Sequence, residues 1–129
     1  MFNNAQAYAT LPAADLERAK KFYSEKLGLR LIREDPSPGA LFQAGGGTVI
    51  YLYQRAATKA DHTVAAFQIS DFDATFNELK GRGIKFEDYN LPNLKTKDGV
   101  FMMQSPAGVM KGAWFKDTEG NILGLTNML

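Results

Sequence analysis

The chain has 129 residues, of which 45% are hydrophobic and 22% charged, so it is long enough to bury one core and is typical of a globular protein. A net charge of +1 with interleaved signs argues against a nucleic-acid partner, and the lack of cysteine excludes disulfides and thiolate sites. Without a leader-like start or a run of 18 apolar residues, we expect no membrane partner and a cytoplasmic location.

The first predicted elements are a strand and a capped helix. The strand covers Tyr8–Leu11, and Asp15 then stands where a helix cap accepts hydrogen bonds from free N–H groups. The helix spans Leu16–Leu27 and ends at Gly28, since glycine readily adopts the left-handed conformation that follows many helices. Its apolar residues recur at helical spacing and predict one buried face: Leu16, Ala19, Phe22, Tyr23 and Leu27.

Three further strands are predicted after this helix. They cover Leu29–Arg33, Ala40–Ala44 and Thr48–Gln54. The turn Gly45–Gly47 joins the last two strands, which therefore form a hairpin.

The same order of elements then recurs, which indicates an internal repeat. A strand at Val64–Ile69 precedes Asp71, a helix at Phe72–Lys80 and a stop at Gly81 and Gly83. Asp71 follows Asp15 by 56 positions. The two helices are therefore interpreted as copies of each other.

The strands of the second copy are predicted at Ile84–Tyr89, Val109–Lys116 and Asn121–Asn127, with Thr118–Gly120 as the turn between the last two. The second copy is longer, and we place its insertion at Leu91–Pro106, with a loop first and a possible strand later. Such a segment is either a lid over a ligand or a solvated connection.

Two motifs carry a resemblance to a known family. Leu11–Ala19, with Phe22-Tyr23 and Leu27-Gly28, opens the first copy, and Ala113–Asn121 ends the second. The chain resembles the vicinal oxygen chelate superfamily, which includes glyoxalase I, extradiol dioxygenases, fosfomycin-resistance enzymes and bleomycin-resistance proteins. The resemblance implies an α+β fold of two tandem βαβββ modules, about 4–55 and 62–129, in a single domain spanning 1–129. It also implies curved mixed sheets with helices on the convex side, a ligand on the concave side, and a homodimer.

Metal-dependent members hold their ion with side chains on the first and last strand of each module. Counting from the motifs places these positions at Tyr8, Tyr51, Val64 and Gly124. None is a histidine or a carboxylate, the ligands that such ions require. The single histidine, His62, lies two positions before Val64 and becomes a candidate if the alignment shifts, but a lone imidazole makes no metal site. We therefore predict no metal and no cofactor.

If no metal is bound, aromatic side chains take the place of metal ligands in the predicted pocket. Tyr8, Tyr51 and Tyr53 would line the pocket, although filling of the core explains such rings nearly as well. If Trp114 also points inward, strand alternation places Gly112 and Lys116 on its face and Lys111 on the other. The ligand-binding candidates are Tyr8, Tyr51, Tyr53, Gln68, Met103, Trp114 and Lys116.

The sequence favours a metal-free protein that binds a small apolar or aromatic molecule, as the antibiotic-binding members of the superfamily do. No catalytic residues are proposed. The alternative is a glyoxalase-like lyase or a dioxygenase with an altered metal site. A third interpretation is a vestigial pocket on a protein whose surface serves as an interaction module.

Overall fold

The computed structural model describes residues 1–128. The chain divides into two compact units, Met1–Lys59 and a second that begins at Ala60. Each unit holds a four-stranded mixed sheet and a helix, which confirms the predicted α+β fold of two βαβββ modules. Within the described residues, no helix combines the length and hydropathy needed to span a bilayer.

The first helix forms as its capping and apolar residues predict. Helix α1 spans Leu16–Lys21 and continues as a π-helical turn over Phe22–Lys26, where Leu27 N donates to Phe22 O at 3.3 Å. Asp15 Oδ1 accepts from Arg18 N at 3.1 Å, and Gly28 ends the helix at φ 71°. The apolar stripe is buried through Leu16, Ala19, Phe22 and Tyr23.

The first sheet comprises β1 (Ala9–Ala13), β2 (Arg30–Asp35), β3 (Gly39–Gln43) and β4 (Val49–Gln54), in the order β1-β4-β3-β2. Strands β1 and β4 are parallel and the other pairs antiparallel. Leu11 lies opposite Leu52, and both are fully buried. Alternation therefore places Tyr51 and Tyr53 on the other face of this sheet.

The second unit repeats this arrangement. Strand β5 (Thr63–Gln68) leads to α2 (Phe72–Gly81), capped by Asp71, whose Oδ1 accepts from Ala74 N at 3.1 Å. Two short strands follow, β6 (Asn90–Leu91) and β7 (Leu94–Lys95), and they pair with each other. The main sheet then adds β8 (Phe101–Ser105), β9 (Gly108–Lys116) and β10 (Ile122–Thr126), in the order β5-β10-β9-β8.

The strand predicted at Ile84–Tyr89 is wrong. Within this segment only Phe86 makes a sheet-like bridge, to Phe115, and its ring stacks on Phe76 of α2 with centroids 4.2 Å apart. The apolar alternation thus reflects packing of a connection rather than a ladder of strand hydrogen bonds. The fourth strand is β8, inside the predicted insertion, which confirms the possible strand expected late in that segment. The earlier part, expected to be a loop, forms the short β6–β7 hairpin.

The last hairpin is closed by a buried carboxylate at the end of β9. Asp117 Oδ1 accepts from Glu119 N at 2.8 Å and from Asn121 N at 2.9 Å, and Oδ2 accepts from Asn121 Nδ2 at 2.8 Å. These three hydrogen bonds satisfy the carboxylate inside the protein. They fix the turn and hence the pairing of β9 with β10.

Candidate functional site

A pocket of about 380 Å³ opens on the second sheet. It lies on the face away from α2, since Lys111, on the opposite face of β9, pairs with Asp73 of that helix at 2.9 Å. Its walls are largely apolar, none of the lining residues is charged, and the polar side chains are those of Asn93, Trp114 and Thr126. Its apolar lining includes Ala66, Leu94, Phe101, Met103 and Met110.

Strand register brings the wall residues together. Gly124 of β10 lies opposite Trp114 on β9 and Ala66 on β5. Farther along, Gly112 lies opposite Phe101. Met103 faces Met110 in the same pair of strands. Directly opposed residues share a face, so these side chains form one continuous surface.

Two glycines, Gly112 and Gly124, lie beneath the Trp114 indole. A Cβ added to Gly112 would lie 3.3 Å from Trp114 Cη2, and one added to Gly124 would lie 3.5 Å from Nε1. The indole therefore occupies the space above the sheet that side chains at these two positions would otherwise fill. At Gly112 the missing Cβ is what allows the ring to approach the backbone this closely. At Gly124 a Cβ would be in ordinary contact with Nε1 and tighter against Ala66 Cβ, at 3.3 Å.

Neighbouring rings hold the indole in place. Tyr89 meets it edge to face with centroids 5.6 Å apart, and Phe101 lies at 6.4 Å. Glu87 N also donates to the Trp114 carbonyl at 2.8 Å. Burial, with a smaller contribution from the charge of Glu87, raises the pKa of Tyr89. The pocket wall is thus an ordered aromatic cluster.

The β6–β7 hairpin borders the pocket through Asn93 and Leu94. Its base is tied by Thr96, whose Oγ1 donates to Asp88 Oδ1 at 2.7 Å and accepts from Tyr89 N at 2.8 Å. The hydrogen bond from Thr96, followed by that from Gly99 N, lowers the pKa of Asp88. Part of the predicted insertion therefore borders the cavity, as the lid interpretation requires.

The tyrosines predicted at the site lie in the first unit. Tyr51 OH donates to Asp35 Oδ2 at 2.8 Å, and Arg33 Nε donates to Asp35 Oδ1 at 2.9 Å. The Arg33 guanidinium, and next the Tyr51 hydroxyl, lower the pKa of Asp35, while bonding to the carboxylate raises the pKa of Tyr51. Tyr53 is half-buried on the same face, and Tyr8 is 58% exposed. This face is polar and charged, unlike the pocket of the second unit.

The residues present do not fit the metal that the family resemblance implies. Trp114 already lies against the position where a side chain at Gly124 would project. His62 is exposed. Throughout residues 1–128, no three His, Cys, Asp or Glu side chains come close enough together to hold an ion.

The structure gathers only some of the predicted site residues. Trp114 and Met103 line the pocket. Gln68 pairs with Thr126 on the same face but lies outside the lining, and Lys116 Nζ lies 3.5 Å from Glu87. Sequence reasoning missed Phe101, Asn93 and Leu94. Alternation through Phe101 and Met103 was the available signal for the first of these.

A second hollow, of about 390 Å³, lies near the C-terminal end of α2. Its lining includes Lys80, Lys85, Asp88 and Asp98. The Asp88 carboxylate is already used by Thr96 and Gly99. The rings of Phe76 and Phe86 also line this hollow. It differs from the pocket of the second sheet in its four charged side chains.

Comparisons with solved structures show the same fold. Lactoylglutathione lyase from Agrobacterium tumefaciens is 19% identical with a TM-score of 0.67, covering 95% of this chain and 92% of that chain. TnmS3, an antibiotic binding protein from Streptomyces sp. CB03234, is 24% identical with a TM-score of 0.64, covering 94% and 95%. The fosfomycin resistance protein FosX from Listeria monocytogenes is 16% identical with a TM-score of 0.71, covering 98% and 92%.

A search of curated proteins gave no match. A family model, however, matches residues 5–125, nearly the whole chain, in agreement with the two motifs and the two modules described above. The chain belongs to the Glyoxalase/Bleomycin resistance protein/Dioxygenase superfamily.

Proposed function

We propose that this protein binds a small apolar or aromatic molecule, without a metal, in the pocket of its second unit. The observation that carries the proposal is the Trp114 wall. The indole stands against the Gly124 position, where metal-dependent relatives would place a ligand, and the surrounding lining is uncharged. A wall of this kind favours flat apolar ligands, which gain from burial and ring stacking.

The volume of the pocket limits the size of the ligand, and hence the affinity that we expect. A volume of about 380 Å³ is at the small end of ligand sites. A three-ring compound with about 14 non-hydrogen atoms, bound at roughly 0.6 kcal/mol per atom, would reach a dissociation constant of about 1 μM. Ligand concentrations from nanomolar to high micromolar therefore cover the expected range.

A relative supports the proposal. TnmS3 is described as an antibiotic binding protein and shares this fold along nearly its whole length. We extend ligand binding from that protein to this one on the strength of the Trp114 pocket, and leave the ligand's identity to experiment.

The test is a ligand screen followed through the fluorescence of Trp114, the single tryptophan of the chain. Chelator-treated protein is titrated with a library of aromatic compounds and antibiotics, and then again with added Mn²⁺ or Zn²⁺. We expect saturable quenching by at least one compound, with the same dissociation constant in both conditions. Quenching or turnover that requires the added metal would contradict the proposal and favour an enzyme.

Adjacent methionines provide a matched pair of variants. Met103 lines the pocket, whereas Met102 lies outside the lining and is 61% exposed. Met103→Gln places an amide in the apolar wall and should weaken binding by about tenfold. Met102→Gln makes the same chemical change beside it and should leave binding as it was.

We also propose that the chain forms a homodimer in the cytoplasm. Exposed apolar side chains, including Leu31 and Ile32 on β2, favour burial against a partner. Light scattering should give twice the chain mass of 14.2 kDa. A monomer mass across the accessible concentration range would refute the dimer.

A further inference from the structure

The indole N–H of Trp114 is a free hydrogen-bond donor in the pocket. No group within residues 1–128 accepts from Nε1, although Trp114 lines the cavity. A buried donor without a partner costs free energy, and this nitrogen is not buried. It is therefore available to a molecule that enters the pocket.

Resting on the binding function proposed above, we propose that the ligand is an uncharged, planar aromatic compound with a carbonyl or similar acceptor oxygen that bonds to Trp114 Nε1. The ring system would lie against Phe101 and the two methionines, Met103 and Met110. The oxygen would point towards the Gly124 end of the indole, where Nε1 lies.

The charges around the pocket argue for a neutral ligand. Lys116, the charged residue of β9 on this face, is held near Glu87, with Nζ and the carboxylate 3.5 Å apart. Lys111 faces the opposite side of the sheet and pairs with Asp73. A carboxylate or ammonium group in the pocket would lose hydration without gaining a free counter-ion.

The donor is also fixed in position, which makes it able to discriminate between ligands. The benzene ring of the indole lies against Gly112 and its Nε1 edge against Gly124, and the Tyr89 and Phe101 rings flank it. A fixed donor contributes little to binding of a ligand without an acceptor. For a ligand with one, the ordering cost has already been met by the fold.

Three matched probes test this ligand class on the unmodified protein in the presence of chelator. They are fluorene, 9-fluorenone, which adds a carbonyl, and 9-fluorenone-2-carboxylate, which adds a charge. Equilibrium dialysis with ultraviolet absorbance measures each dissociation constant. We expect fluorenone to bind about 3- to 10-fold more tightly than fluorene, and the carboxylate to bind at least about tenfold more weakly than fluorenone.

Two variants test whether Trp114 Nε1 is the group that donates to the carbonyl of fluorenone. Trp114→Phe keeps an aromatic wall but removes the N–H, so the ratio of fluorene to fluorenone dissociation constants should fall to about one, whatever the loss in overall affinity. Asn93→Ala removes a side-chain amide that also lines the pocket and should preserve the ratio. In ¹⁵N–¹H spectra, the single indole signal should move downfield with fluorenone and not with fluorene.

The outcomes separate the two proposals. Equal affinity for fluorene and fluorenone overturns the acceptor requirement while leaving aromatic binding in place. Tighter binding of the carboxylate overturns the requirement for neutrality. Failure of all three probes overturns this inference, and the proposed function falls as well only if the wider library also yields no ligand.

Discussion

Substitution of Gly112 by valine tests the position of the Trp114 indole against the second sheet. A Cβ at this position would meet Trp114 Cη2 at 3.3 Å and Cζ2 at 3.7 Å, and the next nearest atom is the Leu125 carbonyl oxygen at 3.8 Å. The γ-carbons of valine extend about 1.5 Å farther. The indole must therefore leave its position, while the rest of the sheet is little disturbed.

The cost follows from two opposing effects. Overpacking around the new side chain lowers the free energy of unfolding by about 1–3 kcal/mol. Replacing glycine within a strand raises the free energy of unfolding by roughly 0.5–1 kcal/mol. The net loss of about 1 kcal/mol should lower Tm by about 4 °C for a chain of this length. Ligand affinity should fall by at least about tenfold, because the wall itself has moved.

The assay combines thermal unfolding, tryptophan emission and ligand titration. We expect the emission of Gly112→Val to shift to longer wavelength as the ring becomes more hydrated. Gly45→Val is the matched control, since a Cβ there meets nothing within 4 Å, and it should change none of the three readouts. Unchanged emission and affinity in Gly112→Val would refute the assigned position of the indole.

Three further changes have defined outcomes. Tyr51→Phe removes a hydrogen bond to the Asp35 carboxylate, so the pKa of Asp35 should rise towards 3.8 in a carbon-13 titration. The ionised carboxylate stabilises the fold fully above pH 3.8, and this stabilisation is lost as the pH falls through the lowered pKa of Asp35 in the folded protein. The variant should therefore lose the stabilisation at a higher pH than the unmodified protein does. Asp117→Ala removes the three hydrogen bonds that the carboxylate accepts in the turn and should reduce the free energy of unfolding by about 2–4 kcal/mol in a urea titration. Thr96→Val removes the hydrogen bond from Thr96 Oγ1 to Asp88 at the base of the β6–β7 hairpin. Because this hairpin borders the pocket, the variant should release ligand faster in stopped-flow measurements, and the pKa of Asp88 should rise.

Local signals in the sequence were sufficient to predict the two repeated helices and their ends. Asp15 and Asp71 are caps and Gly28 and Gly83 are stops because backbone groups at helix ends need partners close in sequence. Period-two alternation likewise placed Gly112 and Lys116 with Trp114. Such features depend on neighbours a few positions away, so one sequence is enough to predict them.

Contacts between distant segments were not accessible in this way. Phe86 alternates with apolar neighbours as a strand residue would, yet it packs against Phe76 and Phe115. The register of β2 shifts between Leu31 and Arg33, and no local pattern marks that shift. The pairing of Tyr51 with Asp35, across two strands, therefore emerged only from the structure.

The most direct test of the metal-free pocket is to locate a bound aromatic ligand by NMR in the presence of chelator. Intermolecular nuclear Overhauser effects should connect the ligand to the ε-methyl groups of Met103 and Met110 and to the Trp114 indole. Contacts to the Tyr51 face instead, or ligand signals that appear only after a divalent metal is added, would contradict a metal-free site in the second unit.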